Sequence, residues 1–99
     1  MTLAVHYTTA AEKDVEAIAD YTMRAWGAEQ CDFYLNVLQE VCERIMPGHL
    51  KLARPVPDYP GLLSWRVEHH VVYLRRVGDG IEMVRILHER QLPARHLKR

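Results

Sequence analysis

One glycine separates two long amphipathic stripes, and that spacing constrains this chain more than any other feature. Val15, Ile18, Ala19 and Ala25 or Trp26 recur at three- and four-residue intervals, with Lys13, Glu16, Asp20 and Arg24 on the opposite side. Gly27 interrupts the pattern. Cys31, Tyr34, Leu35, Leu38, Val41, Cys42 and Ile45 then resume it as an i, i+3, i+4, i+7 stripe. Helices over about 10–25 and 28–46, joined by so short a link, have to fold back as an antiparallel hairpin. Tyr21, Trp26 and Tyr34 are expected to pack inside it. Thr9 and Glu12 have capping-box spacing at the start of the first helix, and Gln30 stands at the matching position after Gly27. Pro47-Gly48 is expected to end the second.

A helical hairpin cannot bury its own stripe, so the rest of the chain has to cover it. Leu3–Thr8 alternates as a strand, with Leu3, Val5 and Tyr7 on one side. Residues 47–61 hold four of the five prolines and two glycines, which reads as a stiff surface connection without an element of its own. Beyond it the period changes to two. Strands are predicted over about 62–68, 70–77 and 81–87, with a tight turn at His69 and a hairpin at Gly78-Asp79-Gly80. A basic tail, 88–99, follows, and Pro93 limits any helix there. The order is β-α-α-β-β-β in one α+β domain over 1–99, a helical hairpin packed on one face of a small, mainly antiparallel sheet.

Composition narrows the function. A chain of 99 residues with 48% hydrophobic and 26% charged residues is one folded domain, too small for a dinucleotide-binding enzyme. No apolar run approaches the roughly 20 residues of a membrane span, and the N-terminus has neither the basic start nor the apolar stretch of a signal peptide. A cytoplasmic protein is expected. Cys31 and Cys42 lie on one helix face about three turns apart, too far for a disulfide, and read as buried thiols. Net charge is zero, yet residues 1–46 carry three bases against eight acids, and residues 47–99 carry ten bases against five acids. An acidic face and a basic face follow if folding does not interleave them.

Chemistry is sparse. His69 and His70 are neighbours on a strand and point to opposite faces, and no chelating spacing occurs, so no metal or other cofactor is expected. Ser64, the single serine, lacks a glycine elbow, and the glycines all stand at turns rather than in a phosphate cradle. Arg66, Arg75, Arg85, His88, Arg90, Arg95 and His96 hold the residue types for acid–base cleavage of RNA. They equally fit solvated strand faces, with Arg85 paired across the sheet to Glu68 or Glu82.

Three segments together resemble a known family. Ala11-x-x-Asp14-x-x-x-Ile18-x-x-Tyr21-x-x-x-x-Trp26-Gly27-x-x-Gln30-x-x-x-Tyr34-Leu35 is similar to the helical hairpin of ParE-type toxins, in the RelE/ParE superfamily of type II toxin–antitoxin modules. Gly61-Leu62-x-x-Trp65, Val71-Val72-Tyr73-x-Arg75 and Ile81-Glu82-x-Val84-Arg85-Ile86-Leu87-His88-x-Arg90 resemble its terminal strands. The resemblance spans residues 5–91. It implies a toxin that traps DNA gyrase on cleaved DNA by protein–protein contact, without catalysis or direct nucleic-acid binding of its own. It also implies a ParD-like antitoxin whose C-terminal segment folds onto the toxin. The superfamily's RelE branch instead cleaves mRNA on the ribosome, typically with a tyrosine near the C-terminus. No tyrosine follows Tyr73 here, so His88 or His96 would have to substitute.

No catalytic residue is assigned on this reading. Target contact is expected at Arg85, His88, Arg90, Arg95 and His96, where residues 85–99 carry five bases against Glu89. Truncation after Leu92 is expected to abolish toxicity and leave the fold intact. Phe33 and Val37 fall beside the second helix's stripe, and either widen its core face or await a partner. With Trp65 they are the candidate antitoxin contacts.

Overall fold

The computed structural model describes residues 3–97. Strand β1 (Ala4–Tyr7) leads into α1 (Thr9–Trp26), and α2 (Ala28–Glu40) follows across Gly27. A short β2 (Arg54–Pro55) precedes β3 (Leu63–Val67), β4 (His70–Val77) and β5 (Gly80–His88), and α3 (Pro93–His96) closes the chain. The sheet order is β1-β5-β4-β3-β2. β1 runs parallel to β5, and the other neighbours are antiparallel. The hairpin-on-sheet architecture read from periodicity is the one found.

Local chemistry explains the boundaries, with four corrections. The cap of α1 is Thr8, not Thr9: its hydroxyl oxygen accepts from Ala11 N at 3.0 Å and donates to the Val84 carbonyl at 2.8 Å. Gly27 links the helices at φ +88°, a backbone state that a side chain would strain, while Gln30 makes no capping bond. Pro47 does not stop the second helix. After Glu40 the chain loosens into a π-turn (Val41–Ile45), where Met46 N–H bonds the Val41 carbonyl, and then tightens into a 3₁₀ segment (Met46–Leu52) with Pro47 at its start. That segment and β2 occupy the stretch expected to be without elements. Arg54 and Pro55 pair with Ser64 and Leu63, making a fifth strand.

Both hairpins of the meander turn over two residues, each with its first turn residue at positive φ (Glu68, +53°; Gly78, +57°). Gly80 is required for a different reason. A Cβ there would stand 2.8 Å from the Ala4 carbonyl oxygen of the adjacent parallel strand.

The β4–β5 ladder contains one irregularity with large consequences. Leu74 pairs with Met83, but its neighbour Tyr73 pairs with Arg85, so Val84 is an extra residue in β5. This bulge re-phases the strand. Ile81 and Met83 join the core beneath the hairpin before it, and Ile86 joins after it, while Val84 and Leu87 pack in a second cluster. The main core unites Ala11, Ile18, Leu38, Cys42 and Met46 with Val67, Val72, Leu74, Ile81, Met83 and Ile86. The second cluster, Leu62, Tyr73, Leu87 and Leu97, is covered by Val56, Tyr59 and the tail. Two faces of the sheet are therefore closed, where the sequence required only one.

Candidate partner-binding site

β1 is only four residues long and pairs with β5 as far as Met83. Beyond that point the backbone of β5 would be an open edge. The start of α1 closes it. Thr8 N–H and hydroxyl donate to the carbonyls of Met83 and Val84, and the Asp14 carboxylate accepts Ile86 N–H at 2.8 Å. Asp14 also takes a bidentate pair from Arg85, at 2.8 Å from Nε and 2.9 Å from Nη2. Arg85 Nη1 reaches the His96 carbonyl at 3.0 Å. Arg85 therefore pairs with α1 and ties down the tail, rather than pairing with Glu68 or Glu82; Glu82 is held by Arg75 at 2.8 Å. The Asp14 hydrogen bonds push the Arg85 pKa further up.

The tail is consequently not a detachable appendage. Leu97 is buried in the second cluster, and the Arg85 guanidinium holds the carbonyl of His96, the last residue of α3, directly before it. Removing residues beyond Leu92 would open that core, so the expectation of an intact fold is corrected. Arg90 and Arg95 are exposed, and Lys98 and Arg99 lie outside the described residues.

Next to this lock lies a cleft of about 840 Å³ between the hairpin and the ends of β4 and β5. Its floor is Ala17, Ile18 and Ile86, and α1 lines one wall with Tyr21 and Trp26. These two aromatics were expected inside the hairpin. They are instead 65% and 70% exposed, because they stand on the side of α1 that overhangs the end of the sheet. Asp14, Thr22 and Gln30 join the helical side, and Tyr34, His69, His70, His88 and Gln91 complete the lining. Of the expected target-contact residues, His88 alone lines this cleft.

The polar groups of the cleft are arranged in a chain. His70 and His88 are cross-strand partners with ring centroids 5.3 Å apart in a T-shaped contact. Burial first, then the neighbouring His88 and His69, lowers His70 to about 4, so its ring is neutral near pH 7. Burial raises the pKa of Tyr34 and keeps its hydroxyl protonated, and that hydroxyl lies 2.5 Å from His70 Nδ1. The phenol donates to His70 in the Nε2–H tautomer and accepts from it in the Nδ1–H tautomer. His88 Nδ1 accepts Arg90 N–H at 3.1 Å, which leaves that ring's N–H on Nε2. Gln91 Oε1 accepts His88 N–H at 2.7 Å, turning its amide NH₂ outward as a donor. At the mouth, Glu89 holds Arg66 and, at 2.9 Å, His69 Nδ1; the His69 bond and then Arg66 lower its pKa.

Elsewhere, the three candidate antitoxin contacts separate. Phe33 is 63% exposed on α2, whereas Val37 and Trp65 are partly buried against the main core. Both cysteines are buried and unbridged, and burial beside Glu43 pushes Cys42 up to about 12, which removes any thiolate chemistry. Sequence reasoning overlooked Tyr34, His69 and His70 as a site. The available signal was the clustering of histidines at two strand ends, but their pairing depends on the bulge.

The fold corresponds to that of chains in solved toxin–antitoxin complexes. A chain from the "Chromosomal ParDE TA system from P. aeruginosa" superposes with a TM-score of 0.76 at 20% identity, covering 88% of this chain and 96% of that one. A chain of the RelBE2 toxin–antitoxin complex from Mycobacterium tuberculosis superposes at 0.65 and 16% identity, covering 89% and 99%. At those identities the likeness concerns the fold alone. The sequence goes further. Residues 5–93 match the family described as "ParE toxin of type II toxin-antitoxin system, parDE". "Toxin ParE" of Escherichia coli is 38% identical over 84 residues, covering 84% of this chain and 82% of that protein. "Toxin ParE1" of Mycobacterium tuberculosis (strain CDC 1551 / Oshkosh) is 32% identical, covering 89% and 91%. The chain belongs to the ParE toxin family of type II toxin–antitoxin systems.

Proposed function

We propose that this toxin inhibits DNA gyrase through protein–protein contact and is neutralised by a ParD-like antitoxin. Family membership over residues 5–93, in a family described by the parDE system, carries this reading. The state of Arg85 supports it over RNA cleavage. A cation meant for a phosphorane must face the substrate, and here the guanidinium is spent on Asp14 and the His96 carbonyl. Arg85 serves to hold the tail in place. Arg90, Arg95 and His96 of the tail, with His88 at the end of β5, are the proposed target contacts, and their attraction for an acidic or DNA-bound partner weakens with salt. The antitoxin contact includes Phe33, an exposed aromatic whose burial contributes about 2 kcal/mol. Val37 and Trp65 lie on the same side of the proposal with a packing role as well. No helix among the described residues is long and apolar enough to cross a membrane, and action in the cytoplasm is part of the proposal.

The test is induction without antitoxin, followed by pulse labelling of DNA and protein synthesis. DNA synthesis should stop first, with filamentation, and purified toxin should accumulate cleaved DNA in a gyrase supercoiling reaction. Immediate translation arrest with transcripts cut on the ribosome would replace this reading by the RelE-type one. A folded protein without any growth effect would reduce it to antitoxin binding alone.

A further inference from the structure

The cleft between α1 and the ends of β4 and β5 suits a flat, uncharged ligand with polar edges. Trp26 and Tyr21 leave most of their surface exposed on its helical side, above a floor that includes Ile18 and Ile86. Its volume of about 840 Å³ lies within the range of sites that enclose small molecules. The polar lining is mixed. Gln30, exposed and in no capping bond, brings both a carbonyl and an NH₂ four residues beyond Trp26. Thr22 spends its hydroxyl proton on the Ile18 carbonyl at 2.7 Å and keeps its lone pairs. Across the cleft His88 retains its Nε2–H, and Gln91, whose Oε1 accepts His88 N–H, retains its NH₂. Free charge is what the lining lacks. Among the described residues it holds no guanidinium or ammonium group, and its one carboxylate, Asp14, is spent on Arg85 and Ile86 N–H. Glu89 holds Arg66 and His69 at the mouth, and Glu68 and Glu89 both act on Tyr34. An anion entering the cleft therefore meets no free cation and the field of two glutamates.

We propose that the cleft binds an adenine base, stacked on Trp26 beside Tyr21 and paired through its N6 amine and N7 with the Gln30 amide. A ring nitrogen on the opposite edge then accepts from His88 Nε2–H or from the Gln91 NH₂. The groups present select adenine. Its N6 amine and N7 form a donor–acceptor pair that a single glutamine amide satisfies at both atoms. Guanine carries two acceptors on that edge, O6 and N7, and is held best by arginine or lysine, which the described lining does not contain. Stacking on an aromatic face is open to every base, so Trp26 supplies affinity and Gln30 supplies the choice. The site binds without cleaving, since Arg85 is spent on Asp14 and the His96 carbonyl. This inference goes beyond contact between proteins and rests on the cleft alone, whichever enzyme the toxin acts on.

The experiment titrates the full chain with adenosine, guanosine and ribose 5-phosphate by calorimetry, and follows the Trp26 indole and the Gln30 and Gln91 side-chain amides by NMR. Adenosine should move all three groups and bind about tenfold more tightly than guanosine, which loses one hydrogen bond to the amide. Ribose 5-phosphate should not bind. Trp26→Ala should weaken adenosine and guanosine alike, about tenfold, through lost stacking. Gln30→Leu should erase the preference for adenosine and spare the stacking. Both residues are exposed, so neither change touches the core. Thymidine oligonucleotides carrying one adenine, as a single strand or in a duplex, identify where the base comes from. A single strand that binds more tightly than adenosine places the base in an unpaired strand; one that binds no tighter assigns the site to the free nucleoside. Guanosine or ribose 5-phosphate binding as tightly as adenosine overturns the proposal, and so does a duplex binding as tightly as the single strand. Adenosine that fails to bind, or binds while leaving Trp26 and Gln30 unmoved, overturns it as well. A toxin that binds adenosine in this way but leaves gyrase untouched keeps the site and removes only the proposed target.

Discussion

The two faces of the sheet are kept from water by different means. Under the helical hairpin, eleven buried residues from two helices, the following turns and three strands form one continuous cluster. On the other face four buried residues are closed over by a proline-containing loop and a tail held through Arg85. The first is a periodic interface between regular elements, and the second is a patch secured at a few points. Apolar burial scales with area, so the hairpin face should dominate stability. The tail face should instead be where the structure opens first, since few buried contacts and a single lock hold it. That places the tail, with its exposed Arg90 and Arg95, on the less stable side of the molecule.

Substitutions can break this contrast, beginning with the largest effect. Met83 is fully buried in the main core, and Met83→Ala should cost about 2–5 kcal/mol in urea unfolding. A loss no larger than that of Leu97→Ala would show the two faces to be equivalent. Asp14→Ala should come next, at about 2–4 kcal/mol, because it strands Arg85 and leaves Ile86 N–H unpaired. The same variant should raise amide exchange in residues 94–97 before it affects β4. Exchange rising uniformly would mean that Asp14 holds no separate lock. Leu97→Ala should cost about 1–3 kcal/mol, with the smaller cluster able to collapse partly around the gap. Truncation after Leu92 should be destabilising by at least as much, so any loss of toxicity has to be compared with Arg90→Ala and Arg95→Ala in the folded chain.

The smallest effect is the pH response of the cleft. His70 binds its proton near 6.5 when unfolded and near 4 when folded. The unfolded state therefore holds more protons between these values, and stability rises with pH across that interval. The contribution is fully present above about pH 6.5 and is lost as pH falls toward 4; after solvent screening it amounts to about 1–2 kcal/mol. His70→Phe should flatten the slope of stability against pH between 4 and 6.5. A variant with the parent's slope would assign the titration to other groups.

Much of the architecture was legible before any coordinates. The 3.6-residue stripes around Gly27, the change to period two after the prolines, and Gly78-Asp79-Gly80 are local signals. Each reports the geometry of its own segment, and the hairpin, the meander and the burial of Cys31 and Cys42 follow from them. The resemblance carried by the Trp26-Gly27 step and the Arg85-Ile86-Leu87-His88 strand likewise led to the family. Interactions between distant segments were not legible in this way. Nothing local distinguishes Tyr21 or Trp26 from core aromatics, since helical spacing identifies a face but not where the covering sheet ends. Pro47 illustrates the same limit, because the packing of Met46 and Leu50 on the core carries the chain past a residue that ordinarily stops a helix.

The candidate site depends on one such long-range fact. Counting back from the Val77–Gly80 turn, an unbroken ladder would set His70 opposite Leu87. The extra residue at Val84 sets it opposite His88 instead, and brings both rings to the face beneath the hairpin. The alternation of apolar residues determines that β4 and β5 pair. Where the ladder slips by one residue depends on what lies beyond the strand: Thr8 bonding the Val84 carbonyl, Asp14 holding Arg85 and Ile86 N–H, and the end of β1 at Tyr7. Those bonds join residues more than seventy positions apart, and only the folded chain brings them within hydrogen-bonding distance.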